Sequence, residues 1–396
     1  MTRRSDRLAL AAVVFTVLFS QVLLYPGVPQ LVDSLGGSGG LDASTPFLAA
    51  EFAGFVLFAG VWGALSDRAG ERGRFIAAGA TGGAFAYGSL ALAPAIPFWL
   101  VLLVRFVGGS FTIGAFSLAI AALMDFGGGN GRNMGTAGIA IGLGTGLGAP
   151  LGGQLSRLGP RVPLAVGGGL LALVALAGLR LREQAMAGGG SGSRLLAVAR
   201  SLAGEPTLAV PYAFGFADRF TAGFFALVGV DYFQTEFGLA PALTGAVLGC
   251  FFLPFALFQY PFGVLSDRIG RVVPIAVGSF AYGAVIIAVS LAPTVAVVAV
   301  VMVLVGVFGA LCAPATLALV TDLAPADERG TATGGFNVVG SLGFLAGSVA
   351  GGGLATQFDY AVAFRVAGSA EILLALALLP FLLRLETEGT ATFTGE

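Results

Sequence analysis

Lysine and histidine are absent from this 396-residue chain, and cysteine occurs only twice. Without lysine no Walker-type phosphate loop can form, and without histidine there is no HExxH zinc site. All 20 basic residues are arginine. With two isolated cysteines and no histidine or lysine, the chain offers no nucleophile-base arrangement of the enzymatic kind. No metal or organic cofactor is indicated. Cys250 and Cys312 lie in apolar runs, where a thiol behaves as a small hydrophobe and says nothing about redox compartment. Charge is also scarce, at 10% of residues with a net charge of -1. No basic surface suggests nucleic acid, and no acidic tail suggests a cationic partner.

What the chain has in quantity is apolar surface: 57% hydrophobic residues, 33 Phe and a mean hydropathy of +0.93, far outside the globular range. It reads as an all-α integral membrane protein. A helix crossing the hydrocarbon core needs about 20 mostly apolar residues. Twelve stretches qualify, at 8–28, 46–66, 75–93, 98–124, 134–155, 162–181, 207–232, 243–266, 272–292, 295–320, 331–355 and 362–383. The first follows Arg3, Arg4 and Arg7 but is too long for a signal-peptide core and lacks a small-residue cleavage site, so it is expected to stay as a span.

Arginine marks the cytoplasmic side of membrane proteins. With both termini inside, fifteen arginines fall in cytoplasmic segments; Arg157, Arg161 and Arg365 fall outside, and Arg105 and Arg219 lie within spans. This asymmetry predicts a multi-pass protein of the plasma membrane with both termini cytoplasmic. The polar break at 182–206 opens with a Gly/Ser linker and continues as a short amphipathic segment. It separates a six-span half, 1–181, from a second, 207–383, followed by a tail at 384–396. Because each half has an even number of spans, the halves form a parallel repeat.

One charged phrase occurs twice at an offset of 200: GALSDRAGER at 63–72 and GVLSDRIGR at 263–271. Gly63, Asp67, Arg68 and Gly70 coincide with Gly263, Asp267, Arg268 and Gly270, with Arg72 and Arg271 just beyond. Asp67 stands at the carboxyl end of a helix, where the macrodipole disfavours negative charge, so it needs a partner. Candidates are arginines of the same loop and the helix amino terminus near Arg329. The mirror pair would be Asp267 and the helix starting near Arg132, since Asp125 and Arg132 have the spacing of Asp322 and Arg329. Such contacts would latch the halves on the cytoplasmic side; two positive-inside loops with tight glycine turns are the plainer alternative.

This phrase resembles the signature loop between spans two and three of the major facilitator superfamily, and the resemblance, with its twelve spans in two halves, covers essentially the whole chain. It implies the major facilitator fold, alternating access and commonly a monomer. Two more phrases are similar to the family's. Arg105 with Gly109 follows the fourth-span pattern R-x-x-x-G, whose Arg is associated with proton coupling in family members. Gly144, Gly148, Gly152 and Gly153 resemble the fifth-span antiporter motif, although Pro150 stands one place later than that motif puts it. Gly343, Gly347, Gly351 and Gly352 repeat the spacing in the second half. Close helix packing would explain both sets equally well.

Ionisable groups inside spans are costly and therefore functional candidates. Arg105 lies about 10 Å into its span at 1.5 Å per residue. Asp218 and Arg219 fall near the middle of span seven, the depth at which facilitator-type sites lie. As helix neighbours these two point about 100° apart and need not pair; an Asp218 contact with Arg105 is an alternative. Glu51 is either the titratable group or an interfacial acid. Glu371 reads as structural, because span twelve is peripheral in the family. Span one offers Gln21 and Tyr25 where many proton-coupled drug exporters have an acid. The spans hold few amides and many Phe, which suits a lipophilic cargo better than a sugar. The leading expectation is a proton-driven exporter of lipophilic small molecules. Its alternatives are an importer of a small organic anion held by Arg105 and Arg219, and a non-transporting receptor or scaffold, which the 13-residue tail disfavours.

Overall fold

A computed structural model describes residues 3–38, 40–94, 96–124, 130–179, 202–325 and 328–393. Every regular element among them is helical. Ten helices are long and apolar enough to cross a membrane. Asn130–Ser156 and the 17-residue Val162–Gly178 occupy the fifth and sixth positions of the series. The remaining spans are Gly40–Ala69 (second), Arg72–Leu92 (third), Phe98–Met124 (fourth), Pro241–Ile269 (eighth), Val272–Val289 (ninth), Val295–Leu323 (tenth), Arg329–Gln357 (eleventh) and Tyr360–Phe393 (twelfth).

The first and seventh spans are interrupted. In the first, Arg3–Val22 gives way to a tight turn, Tyr25–Gly27, and then to Val28–Ser34. Pro26 and Pro29 remove two amide donors there, so the α-helical ladder cannot run through. The span thus outlasts the expected limit at residue 28. The seventh comprises Pro206–Leu208, Ala209–Phe224, a π-helical turn at Phe225–Gly229 and Val230–Glu236. No proline explains that turn; Gly223 lies just before it and Gly229 is its last residue. The twelfth helix carries on through 384–393, the segment read from sequence as a tail.

The chain divides into two compact units: Met1–Arg194 with Phe225–Leu253, and Leu195–Phe224 with Pro254–Glu396. In the first unit the fourth span packs on the second and third, and the first packs on the fifth and sixth. In the second the seventh packs on the eleventh, and the ninth on the tenth and twelfth. The division cuts the seventh span at the π-turn and the eighth at Pro254, rather than falling only at the linker. Of that linker, residues 182–201 lie outside the described residues.

Candidate functional site

In the first unit the second and fourth spans cross at glycine. A side chain at Gly109 would run into the backbone of Glu51, and one at Gly54 would stand 2.5 Å from the Phe106 carbonyl oxygen. The backbones therefore touch, and Arg105, one turn before Gly109, reaches the Glu51 carboxylate. Arg105 Nη2 donates to Glu51 Oε2 in an ion pair whose side chains are 2% and 1% exposed. Tyr87 of the third span donates its hydroxyl to Glu51 Oε1 at 3.1 Å. The guanidinium lies 4.6 Å from the Phe47 ring centroid and 5.3 Å from that of Tyr87, at cation-π distance. Buried Tyr25 is within electrostatic range of Glu51 and Arg105. Gln21, one turn earlier, is buried, and its Nε2 has no hydrogen-bond partner among the described residues. The R-x-x-x-G spacing thus has a local physical cause: the glycine brings the acid's helix within reach of the arginine.

The repeated charged loops find partners close at hand. Asp67 faces Arg72 of its own loop at 3.7 Å. Asp267 accepts from Arg271 Nη1 at 2.5 Å, and Arg271 Nε donates to Asp322 at 2.8 Å. Arg271 Nη1 also donates to Ser266 Oγ at 3.1 Å. Burial alone would lower the Arg271 pKa, but its bonds to Asp322 and Asp267 outweigh that and raise it. Gly70 and Gly270 adopt φ of +70° and +88°, the left-handed geometry that ends a helix and favours glycine. Gly63 and Gly263 precede them on helices. Arg68, Arg268 and Arg329 are exposed. Asp125 and the side chain of Arg132 lie outside the described residues.

Glycines of the fifth span meet two neighbours within the first unit. Gly144 and Gly148 abut Phe15, Leu18 and Val22 of the first span, and Gly152 meets the Leu23 carbonyl. Gly153 faces Pro241 and Gly245, while Pro150 stands against Gly249, so proline fits here because its neighbour lacks a side chain. In the second unit Gly343 and Gly347 meet the Phe216 and Phe220 carbonyls of the seventh span.

Asp218 and Arg219 are 3.6 Å apart in the second unit, so these helix neighbours do approach each other. Asp218 is buried, while the Arg219 side chain is 45% exposed. Arg105 has Glu51 of its own unit as its carboxylate partner. Glu371 is 4% exposed and accepts a hydrogen bond from Ser279. One participant went unnoticed in the sequence, Tyr87. The phrase Phe-Ala-Tyr-Gly at 85–88, which recurs at 280–283, would have drawn attention to it.

Comparison with known proteins gives the following. The sequence profile of the Major Facilitator Superfamily matches residues 10–226 and 208–396. An uncharacterized MFS-type transporter, MJ1560 of Methanocaldococcus jannaschii, is 32% identical over 161 residues, or 41% of this chain; the match spans 42% of that protein's length. A bacterial homologue of the human lysosomal transporter Spinster, inward-facing and unoccupied, superposes with a TM-score of 0.79 at 16% identity, covering 96% of each chain. The nucleoside transporter NupG gives 0.75 at 13% identity over 96% of this chain and 99% of its own. The human organic anion transporter MFSD10 gives 0.70 at 19% identity over 96% and 100%.

Proposed function

The chain belongs to the Major Facilitator Superfamily and is a multi-pass membrane secondary transporter rather than an enzyme, and on that footing we propose that it couples proton movement to the export of lipophilic small molecules. The observation that carries this reading is Asp218, a buried acid inside the seventh span beside a half-exposed Arg219. Ionisable groups in such positions mark substrate and ion pathways. The Arg105 charge is neutralised by Glu51 in its own unit, which argues against Arg105 as the hold on an anionic cargo. The protein works by alternating access as a monomer in the plasma membrane, with both termini cytoplasmic.

A second reading is carriage of an organic anion. Arg219 favours it, because its guanidinium is accessible where that of Arg105 is not. The test is uptake of fluorescent lipophilic cations and neutral aromatics into inside-out vesicles, with and without an imposed pH gradient, for wild type and Asp218→Asn. Gradient-driven uptake abolished by the substitution is expected. Uptake of organic anions alone, lost in Arg219→Gln, would replace the first reading with the second.

A further inference from the structure

The ninth and twelfth spans cross at a pair of glycines. A side chain at Gly283 would stand 2.5 Å from the Gly368 carbonyl oxygen, and one at Gly368 would run into the Gly283 carbonyl. This contact lays Glu371, one turn beyond Gly368, against the ninth span: its Cβ is 3.1 Å from where a Gly283 Cβ would be. Ser279, one turn before Gly283, donates its hydroxyl to Glu371 Oε1. Tyr282 is 1% exposed, and its ring lies over Gly309 of the tenth span, 3.1–3.2 Å from where a Cβ would be. Its hydroxyl is buried and completes no hydrogen bond of normal geometry with a described residue, although Thr221 of the seventh span stands beside it. Both Asp218 and Glu371 are within electrostatic range of that hydroxyl.

The ionisable groups around Glu371 are few. The ninth span supplies Tyr282, the tenth Cys312 and the seventh Asp218. The eleventh supplies none beyond Arg329 at its start. Arg219 faces Asp218 at 3.6 Å. Glu371 makes no ion pair among the described residues. A carboxylate buried without a counter-charge costs several kcal/mol, and such a group neutralises by taking a proton instead. Ser279 already donates to one carboxyl oxygen, which leaves the other to carry the proton.

We propose that Glu371, buried at the Gly283–Gly368 crossing with Ser279 as its hydrogen-bond donor and no basic partner among the described residues, is the residue at which this transporter binds and releases its coupling proton. Asp218, beside Arg219, is the neighbouring acid that biases the exchange. The assignment rests on the proton-coupled reading above. The step is simple: the carboxylate takes a proton from hydronium, leaving water, to become the acid, and returns it to water as hydronium.

The test needs no substrate. Infrared difference spectra of the purified protein in lipid, recorded while pH is stepped, contain a protonated-carboxyl stretch from any buried acid that titrates. The expected result is a deuterium-sensitive band that Glu371→Gln removes, that Glu51→Gln leaves, and that Asp218→Asn keeps but moves along the pH axis. Glu371→Asp, which retains a carboxyl, restores the band at a displaced frequency and shows that loss in the Gln variant is not unfolding. A band surviving Glu371→Gln, or removed by Asp218→Asn in its place, overturns the assignment. So does a band abolished by sodium at constant pH. Should the Glu371 band be found while transport ignores the pH gradient, the site stands and the coupling reading falls.

Discussion

Separating Glu51 from Arg105 should be far costlier than removing both. Their side chains are 1% and 2% exposed, so Glu51→Leu strands a guanidinium and Arg105→Met strands a carboxylate. Breaking a buried pair by deleting one partner costs about 3–5 kcal/mol, whereas replacing both by apolar residues of similar volume is often neutral or stabilising by about 1–4 kcal/mol. The Arg105→Met variant should sit at the lower end, because Tyr87 still donates to the carboxylate, a bond to a charged group worth about 1.5–3 kcal/mol. Equilibrium unfolding in mixed micelles, followed by tryptophan fluorescence, measures this directly. The chain's two tryptophans, Trp62 and Trp99, both belong to the first unit and so report on the unit that holds the pair. The expected pattern is two destabilised single variants and a double variant near wild type. Losses that add to within about 0.5 kcal/mol would show that the two residues do not depend on each other, and the argument would fail.

Gly109→Ala drives a Cβ into the Glu51 backbone, which cannot yield as a flexible side chain would; a loss of about 1–3 kcal/mol is expected in the same unfolding assay. Gly70→Ala and Gly270→Ala meet strain of a different origin. Nothing lies within 4 Å of a Gly70 side chain, so there the cost is the left-handed backbone alone, about 1–2 kcal/mol, and Gly270 meets at least the same backbone cost, both read as shifts in the unfolding midpoint. Arg271→Gln removes pairs to acids that are 64% and 51% exposed, so its effect on stability should be about 0–1 kcal/mol per pair and should shrink in high salt. A large, salt-insensitive loss would mean that Arg271 has a buried role.

The spans were legible because each places about 20 apolar residues in a row, and the charged loops because arginine concentrates on one side of the membrane. The break in the first span was signalled by Pro26 and Pro29. That in the seventh was not, since its π-turn holds no proline to mark it. Glu51 and Arg105 both stood out as charges in apolar runs, but 54 positions separate them, and only the Gly109 crossing makes them partners. Span length and hydropathy carry no information about which helices touch. Glu371 was visible too, and family analogy with a peripheral span reads it as structural. The contact that gives it company, Gly283 on Gly368, depends on the pairing of the ninth and twelfth spans, which no local pattern encodes.

The two units use one device, a glycine crossing that holds an acid against a neighbouring helix, with opposite electrostatic outcomes. At Gly109 the acid gains an arginine; at Gly283 it gains a serine. An ion pair fixed between two helices exchanges a proton only by stranding a guanidinium, so it is suited to holding structure. An acid served by a hydroxyl alone loses no charged partner when it exchanges. Isosteric neutralisation separates the two roles. Glu51→Gln should cost about 3–5 kcal/mol, because Arg105 is left without its counter-charge. Glu371→Gln replaces a neutral acid by a neutral amide that still accepts from Ser279, and should stay within about 0.5 kcal/mol of wild type, well under the usual cost of a disruptive core change. Unfolding of both variants side by side at neutral pH decides the matter. Equal losses would mean that Glu371 is ionised in the folded protein, and the contrast between the units would go with it.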